Sequence, residues 1–442
     1  MRRRRRTRGV GKPMDTNRIA ASQTRAVAAA WVVVRRDVFE RRRPADRALA
    51  EFLKKHPEFG GRDRRLIGDT IHGLLRWWGW LRAFVPEPVE PEAAAWARVL
   101  MAVGLFEEAQ PPTATFWASQ AGFDEHALAP WRDLPDAAAR AVALFGGVPE
   151  AFTRTHLLPD WALPAIHCPR PISELIDWLQ RRAPLWLRVQ AEQIPLVLAE
   201  LRTAELVAVA HPRVARALRL DPVRVNLQAV PAYREGRVEV QDISSQAVAA
   251  ACSAQPGEHW LDVCAGAGGK TLALAREVGA AGRVLARDVR GDALAELDRR
   301  ARRAGLNNIK TKIIDTEAEP GGEYDGVLVD APCSGSGTWR RSPWARWQVA
   351  AENVPVYAAR QLALLASAAG QVRGGGVLMY ATCSMFAAEN QDVVRQFLAA
   401  HGEFRPEAFE NPLTGEPTEG QMQIWPWDAD GDAMFVARLR RG

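Results

Sequence analysis

The chain has 442 residues, of which 48% are hydrophobic and 25% charged, the balance of a globular protein with two or three domains. No apolar run approaches the roughly 20 residues of a membrane span, and no apolar segment of a secretory signal follows the basic N-terminus, so a cytoplasmic location is expected. The formal charge is +6, and all but six of the 58 cations are arginine, which permits a nucleic-acid partner but is equally typical of a GC-rich genome.

The first third of the chain carries a helical pattern. Residues 1–15 are expected to be either a disordered basic tail that contacts nucleic acid or sequence upstream of a true start at Met14. In residues 16–147 apolar residues recur every three or four positions, which predicts an all-α domain. The tryptophans of this region (Trp77, Trp78 and Trp80) are expected to pack between helices rather than to stack on bases.

Residues 150–245 mix helical stretches such as "PISELIDWLQ" with strand-like stretches such as "LWLRVQ", "VRVNL" and "RVEVQD", and we predict a small α+β module that bridges the two larger regions. From residue 246 to 442 strands alternate with helices. The predicted strands are "HWLDVCA", "GRVLARDV", "IKTKIID", "DGVLVDA" and "GGGVLMYATCS", and "MQIWPW" with "DAMFVARL" could add a C-terminal pair. Such alternation predicts a Rossmann-like α/β domain with a parallel, doubly wound sheet.

A glycine-rich loop follows the first strand of this domain, in "DVCAGAGGKT" (262–271). It is not a Walker A loop, because Cys264 occupies the place of the first glycine, and it departs from the dinucleotide fingerprint, because Thr271 occupies the place of the third. A tight turn between a parallel strand and a helix is nevertheless a ligand site. The residues expected to line it are Cys264, Ala265, Gly266, Ala267, Gly268, Gly269 and Lys270.

Two acidic residues suggest which ligand this loop holds. Asp288 ends the second predicted strand, where a carboxylate can bind ribose hydroxyls, and Asp315 ends the third, where it can accept from an adenine amino group. The alternative for each is an aspartate that caps the next helix. Together with the glycine loop they favour an adenosine-containing ligand, and S-adenosylmethionine fits better than NAD because it has no pyrophosphate.

The five cysteines form no C-x-x-C pair, and no H-E-x-x-H occurs, so neither metal nor disulfides are expected. Cys168 and Cys252 are expected to be packing residues. Cys333, in "DAPCSGSG", and Cys383, in "YATCS", instead follow neighbouring predicted strands and precede polar or glycine residues. Two cysteines at the ligand edge of one sheet indicate reactive thiols.

These motifs, in this order and with "VQDISSQ" (240–246), resemble the Sun family of RNA (cytosine-5) methyltransferases. The helical N-terminus, with "GGRDRRLIGDTIHGLLR" (60–76), is similar to the NusB-like RNA-binding domain that marks the bacterial small-subunit methyltransferase B (RsmB) type of that family. One departure is "CAGAGGK" in place of the family's "CAAPGGK", since Gly266 and Ala267 replace an alanine and a proline. This departure bears on cofactor affinity, because the loop's contacts are expected to be made by its backbone.

The resemblance implies a reaction. S-adenosylmethionine would methylate carbon 5 of a cytosine in 16S ribosomal RNA, through a covalent bond between a cysteine and carbon 6. Cys383 would be the nucleophile, Cys333 would assist product release, and Asp330 would bind the cytosine and border the cofactor. RNA contacts are expected at Arg64, Arg65, Arg340 and Arg341, and the protein is expected to act as a monomer without metal.

Two alternatives remain open at this stage. The same chemistry could act on transfer RNA or on another ribosomal position, and only the helical domain favours the small subunit. The chain could also be an RNA-binding assembly factor with a degenerate methyltransferase core. The presence of Cys333, Cys383, Asp330 and Asp288 argues against the second alternative.

Overall fold

A computed structural model of the chain describes residues 16–85, 93–108, 114–124, 128–147, 149–190, 192–220, 226–314 and 323–442. The predicted tail (1–15), Asp315 and most of the predicted strand "VRVNL" lie outside these residues. The chain forms two compact units, which divide between Pro159 and Asp160. In the described part of the chain, no helix combines the length and the apolar character needed to cross a bilayer.

In the described residues of the first unit every secondary-structure element is a helix, as the three- and four-residue spacing of apolar side chains predicts. Its helices are α1 (Thr16–Arg35), α2 (Ala45–Lys55), α3 (Gly61–Arg76), α4 (Trp78–Leu81), α5 (Ala93–Phe106), α6 (Ala114–Gln120), α7 (Leu128–Arg132) and α8 (Ala137–Phe145). Trp77 and Trp80 are buried, and their indole N–H groups donate to the Glu107 carboxylate and the Thr153 carbonyl. These two tryptophans are therefore packing residues, as predicted.

The second unit begins with a small antiparallel sheet. Its elements are α9 (Ile172–Gln180), β1 (Leu185–Val189), α10 (Ile194–Thr203), β2 (Ala208–Ala210), β3 (Ala217–Leu220), α11 (Pro231–Arg234) and β4 (Val238–Val240). The strand order is β2-β3-β1-β4, and α10 packs on the sheet through the buried side chains of Val197 and Leu201. The strands β2 and β3 were not predicted, because each is only three or four residues long and lacks a clear alternation.

The remainder of this unit is built on an eight-stranded sheet. Its elements are α12 (Ile243–Ala251), β5 (His259–Asp262), α13 (Gly269–Val278), β6 (Arg283–Asp288), α14 (Gly291–Arg303), β7 (Ile309–Ile313), β8 (Tyr324–Asp330), α15 (Asn353–Ala369), β9 (Val372–Thr382), α16 (Gln391–Ala400), β10 (Phe404–Pro406), β11 (Gln421–Ile424), α17 (Pro426–Ala429) and β12 (Met434–Arg441). The sequence-predicted strands and the C-terminal strand pair are confirmed within two or three residues.

The strand order explains where ligands can enter. The order is β10-β12-β9-β8-β5-β6-β7, with β11 paired to β12, and the five strands from β9 to β7 are parallel. The chain moves outward from β5 in both directions, so the carboxyl end of β5 is a topological switch point. One apolar layer joins α12 and α13 to the sheet, and another joins α15 and α16 to its other face. The sheet is therefore Rossmann-like and covered on both faces.

Candidate active site

The glycine loop connects the end of β5 to the start of α13. Gly266 and Gly268 have φ angles of +54° and +84°, a region that side chains disfavour. A Cβ at Gly268 would also lie 2.5 Å from the Leu297 side chain. At the base of the loop, Thr271 donates a hydrogen bond of 2.7 Å to Asp262, which fixes the helix start against the strand end. The loop is thus a tight backbone turn at the switch point.

Asp288 lies beside this loop, as the sequence predicted for a residue at the end of β6. The Gly266 N–H donates to its carboxylate at 2.7 Å, and Arg290 donates to it through its backbone and its guanidinium. Burial alone would raise the pKa of Asp288, but the hydrogen bonds from Arg290 and Gly266 outweigh burial and lower it. The group is therefore an ionised acceptor at neutral pH.

Lys270 points to the end of β8 and not along the loop. Its Nζ atom lies 2.7 Å from Asp330, and the lysine is buried while the aspartate side chain is 31% exposed. Burial would lower the pKa of Lys270, but the charge and the hydrogen bond of Asp330 raise it, so the ammonium persists. This ion pair joins the glycine loop to the residue that the sequence assigned to the cytosine.

The two predicted reactive cysteines are in contact. The Sγ atoms of Cys333 and Cys383 lie 3.2 Å apart, each partly exposed, in the loops after the adjacent strands β8 and β9. The pKa of Cys333 is well above its ordinary value because of its hydrogen bond to Cys383, its burial, and the charges of Cys383 and Glu389. Two thiols this close can share a hydrogen bond, with either sulfur as the donor.

A buried polar network, for which the sequence motifs predicted no role, connects the loops that carry these thiols. It includes Glu389, Ser334, Ser336 and Ser384, all of which are at most 6% exposed. Glu389 and Asn390 belong to the same sequence motif as Cys383. Their burial could not be predicted from that motif, because a charged residue in a polar stretch more often lies at the surface.

Two of the arginines expected to contact RNA are engaged elsewhere. Arg340 is 2% exposed, and its guanidinium binds the carbonyls of Arg181 and Arg182 and the Asp430 carboxylate, so the expected RNA contact is wrong for this residue. The guanidinium of Arg64 donates to the carbonyls of His56 and Phe59, which gives it a structural role in its own unit.

Two other arginines remain candidates. Arg65 is exposed on α3, and Arg341 has 56% of its side chain exposed although it pairs with Asp432 at 2.6 Å. Both can reach solvent with at least part of the guanidinium. Arg76, a further basic residue of the helical unit, is buried against Glu107 and is not such a candidate.

The other three cysteines differ from this pair. Cys252 is buried, and burial raises its pKa to about 12, so it is a packing residue. Burial and the charges of Asp262, Asp330 and Asp288 raise the pKa of Cys264, which keeps this loop thiol neutral. Burial also raises the pKa of Cys168. No cluster of three His, Cys, Asp or Glu side chains able to hold a metal occurs among the described residues.

Part of the second unit is similar to known proteins. Residues 249–440 match the family described as 16S rRNA methyltransferase RsmB/F. Ribosomal RNA small subunit methyltransferase B of Sodalis glossinidius is 33% identical over 293 residues, which are 64% of this chain and 66% of that protein. The probable methyltransferase B of a Synechocystis strain is 34% identical over 58% of each chain. The matches thus span 66% and 58% of the length of these two relatives.

Solved structures share the fold. The protein named PH0851 covers 97% of this chain and all of its own, with a TM-score of 0.74 and 23% identity. NSun6 from Pyrococcus horikoshii, solved with a ligand abbreviated SFG, covers 61% of this chain and 93% of its own, with a TM-score of 0.53 and 17% identity. Residues 249–440 are thus similar to the RsmB/F family of methyltransferases.

Proposed function

We propose that the protein uses S-adenosylmethionine to form 5-methylcytosine in RNA, with 16S ribosomal RNA as the substrate. The observation that carries this proposal is the contact between the Cys333 and Cys383 thiols, 3.2 Å apart and in the loops after β8 and β9. Asp330 ends β8, and Lys270 links it to the glycine loop. A methyl-donor site and a pair of thiols at one sheet edge suit the methylation of a carbon that needs covalent activation.

The residues around the glycine loop suit S-adenosylmethionine. The turn offers a close backbone approach between Cys264 and Gly269, and the ionised carboxylate of Asp288 is an acceptor for ribose hydroxyls. Asp315 is assigned to the adenine by resemblance alone, since it lies outside the described residues. When bound, the cofactor supplies a methyl group on a positively charged sulfur. The replacement of the family's Ala-Pro by Gly266-Ala267 changes no side chain that this arrangement uses.

The chemistry of the protein groups follows from their positions. The thiolate of Cys383 forms a bond to carbon 6 of cytosine, and the electron pair of the C5–C6 double bond makes carbon 5 nucleophilic. The Asp330 carboxylate accepts a hydrogen bond from the 4-amino group of the ring and so holds the base in position. After methylation, water takes the proton from carbon 5, the electrons of that C–H bond re-form the C5–C6 double bond, and the S–C6 bond breaks and returns its own electron pair to Cys383. Cys333, in contact with Cys383, assists this elimination.

The substrate must bring an extrahelical or single-stranded cytosine to the thiol pair. We assign RNA contacts to Arg341 and Arg65, the expected arginines with exposed side chains. We further propose that the helical unit is a NusB-like RNA-binding domain, and that the protein acts as a monomer. The names of the relatives favour the small ribosomal subunit over transfer RNA.

The test is methylation by the purified full chain. Deproteinised 16S rRNA, the small subunit and bulk transfer RNA are incubated with methyl-labelled S-adenosylmethionine, and nucleosides are identified by mass spectrometry. The proposal predicts 5-methylcytidine in the ribosomal samples. If only transfer RNA were labelled, transfer RNA would replace 16S rRNA as the proposed substrate. A methyl group on another atom or base would contradict the proposed methylation of cytosine at carbon 5. Bisulfite sequencing of ribosomal RNA from a deletion strain identifies the nucleotide.

A further inference from the structure

Two arginines from outside the glycine loop donate hydrogen bonds to its backbone carbonyls. We propose that Arg300 and Arg188 are positioning residues that hold the loop in the conformation that binds S-adenosylmethionine, and that the small antiparallel sheet thereby supports the cofactor site. The inference rests on the proposed function, because it takes the glycine loop to be the cofactor loop. It adds residues from two further elements, α14 and β1, to that site.

Strand alternation in the small antiparallel sheet produces a polar pair on one of its faces. Leu187 and Val189 of β1 and Val238 of β4 pack in the apolar layer that includes α10. Arg188 and Glu239 lie directly opposite each other in the register of β1 and β4, and their side chains point to the other face, because successive residues of a strand alternate. Both are buried. This face therefore presents a buried cation and a buried anion to the neighbouring elements.

Arg188 binds the first residue of α13. Its Nη1 atom donates to the Gly269 carbonyl at 2.6 Å and also to the side-chain oxygen of Gln241. Its Nε and Nη2 atoms have no hydrogen-bond partner in the described part of the chain. A buried guanidinium with unused donors lowers the stability of the folded state, so packing alone would favour an apolar residue here. The contact with the loop instead accounts for an arginine at this position.

Arg300 binds the middle of the loop from α14. Its Nη1 atom donates to the Ala267 carbonyl at 2.6 Å, while its Nε and Nη2 atoms bind the Glu239 carboxylate at 3.0 and 2.9 Å. Leu297 lies about one turn earlier on the same face of α14, and a Cβ added to Gly268 would lie 2.5 Å from its side chain. Helix α14 thus supports the loop through one apolar and one charged contact.

The Glu239 carboxylate joins the small sheet to α14. Besides Arg300 it binds Arg303 at 2.5 Å, and its neighbour across the strands is Arg188. Hydrogen bonds between a carboxylate and the planar fork of an arginine fix the geometry of both groups. Because β4 holds the carboxylate in place, the Arg300 guanidinium stays directed to the Ala267 carbonyl. The small sheet and α14 therefore act together on the loop.

The loop segment held in this way has a backbone with much intrinsic freedom. Gly266 and Gly268 lack a Cβ, and Ala267 lacks the ring that fixes φ in proline. Ordering the backbone of one residue lowers an equilibrium constant about 5- to 30-fold. Because the arginine contacts order the loop when the chain folds, that loss is not taken from the free energy of cofactor binding. The two arginines therefore raise cofactor affinity through the loop.

The test is binding of S-adenosylmethionine to the full chain, measured by calorimetry without RNA. Arg300→Gln removes the contact with the Ala267 carbonyl and should raise the Kd about 5- to 30-fold at unchanged stoichiometry. Arg188→Met, an unbranched apolar replacement, tests the other contact and should raise the Kd by a similar factor. A purely structural loss of stability would instead lower the stoichiometry, because fewer molecules would be folded, and would leave the Kd of the folded fraction unchanged.

The matched control is Arg303→Gln. Arg303 lies on the same helix as Arg300 and binds the same carboxylate, but it packs on the ring of Tyr233 rather than on the loop. Its loss should therefore cost a similar ion pair and leave the Kd for S-adenosylmethionine at the wild-type value.

Amide hydrogen exchange gives a second measurement, which in the wild-type chain does not depend on the folding of a variant. The N–H groups of Gly268 and Leu272 donate to the carbonyls of Ala265 and Gly268. They should exchange slowly before any cofactor is added, because the loop is already ordered. They should exchange faster in Arg300→Gln than in Arg303→Gln.

Two results would overturn the inference. One is an equal Kd in Arg300→Gln and Arg303→Gln, and the other is a wild-type loop whose amides become protected only when the cofactor is added. Failure of the proposed function looks different. A wild-type chain that binds S-adenosylmethionine but methylates no cytosine would contradict the proposed reaction, while the shift in Kd would still support this inference. A wild-type chain that does not bind S-adenosylmethionine would contradict both.

Discussion

The backbone N–H of Gly337 donates a hydrogen bond of 2.9 Å to the carbonyl of Cys383, so the loop after β8 holds the backbone of the residue that we assign as nucleophile. A Cβ at Gly337 would overlap the carbonyl oxygen of Ala433 and would lie 3.0 Å from the Cys383 carbonyl oxygen. Glycine is therefore required here by space, since no other residue fits between the two backbones.

Gly337→Ala is expected to displace the Cys383 loop and to lower the rate of methylation at least tenfold, because small errors in position have large effects on attack geometry. The cost in stability should be about 1–3 kcal/mol, as for other overpacked sites. Gly402→Ala is the control, since a Cβ there meets nothing within 4 Å. Equal activities of the two variants would show that the Gly337 contact does not position the thiol.

Asp262 should make stability depend on pH. It is buried, and burial raises its pKa to about 7, although the hydrogen bond from Thr271 opposes this effect. The folded state then holds this proton more tightly than the unfolded chain. The stability that protonation contributes is fully present below the unfolded value of about 4 and is lost as the pH rises toward 7.

The corresponding measurement is the thermal unfolding midpoint, followed by circular dichroism across that pH window. Asp262→Asn should reduce the decrease in the unfolding midpoint with rising pH, because asparagine does not titrate. Asparagine can still accept the hydrogen bond from Thr271. Part of the decrease in the unfolding midpoint should remain in this variant, because the pKa of the buried Asp432 is also raised to about 7. Burial and the charge of Asp242 raise this pKa, although Arg341 opposes them. An unaltered slope in Asp262→Asn would contradict the assignment of this proton.

Asp288 is expected to control cofactor affinity. Asp288→Asn keeps the size of the side chain and removes the charge that suits ribose hydroxyls. Hydrogen bonds to charged groups contribute about 1.5–3 kcal/mol, so binding of S-adenosylmethionine should weaken roughly 10- to 150-fold by calorimetry. Asp298→Asn serves as the control, since that aspartate lies on α14 and accepts from Thr311. Equal affinities of the two variants would exclude Asp288 from the cofactor site.

The exposed arginines should determine the salt dependence of RNA binding. Arg65→Gln should reduce the slope of log Kd against log salt by about one for a lost phosphate contact. Arg64→Gln is a matched control on the same helix, because that guanidinium already binds the carbonyls of His56 and Phe59. The slope should stay constant in Arg64→Gln. The reverse pattern would move the RNA contact to Arg64.

Sequence patterns predicted the parallel sheet well and the surface charges poorly. The strands β5, β6, β8 and β9 each contain an apolar run that ends in polar residues, and this composition specifies both their positions and the edge where Asp288, Asp330 and the cysteine loops meet. The partners of individual arginines depend on distant segments. Arg340 is buried by residues about 158 positions earlier in the chain, which no local pattern indicates.

The buried carboxylate illustrates the same limit. Glu389 lies in a polar segment, and only the convergence of α15, the Cys333 loop and the Cys383 loop shows that it is enclosed. The glycine loop, in contrast, was predictable, because positive φ angles and a strand-to-helix turn require glycine locally. Features fixed by neighbouring residues were thus predicted, and features fixed by tertiary contacts were not.

The central claim is that Cys383 bonds to cytosine and that Cys333 assists its release. The most direct measurement is the trapping of a protein–RNA adduct with purified variants, 16S rRNA and S-adenosylmethionine, resolved by denaturing electrophoresis and located by peptide mass spectrometry. Cys333→Ala should accumulate an adduct at Cys383, whereas Cys383→Ala should form neither adduct nor 5-methylcytosine. An adduct at Cys333 that persists in Cys383→Ala would contradict the account.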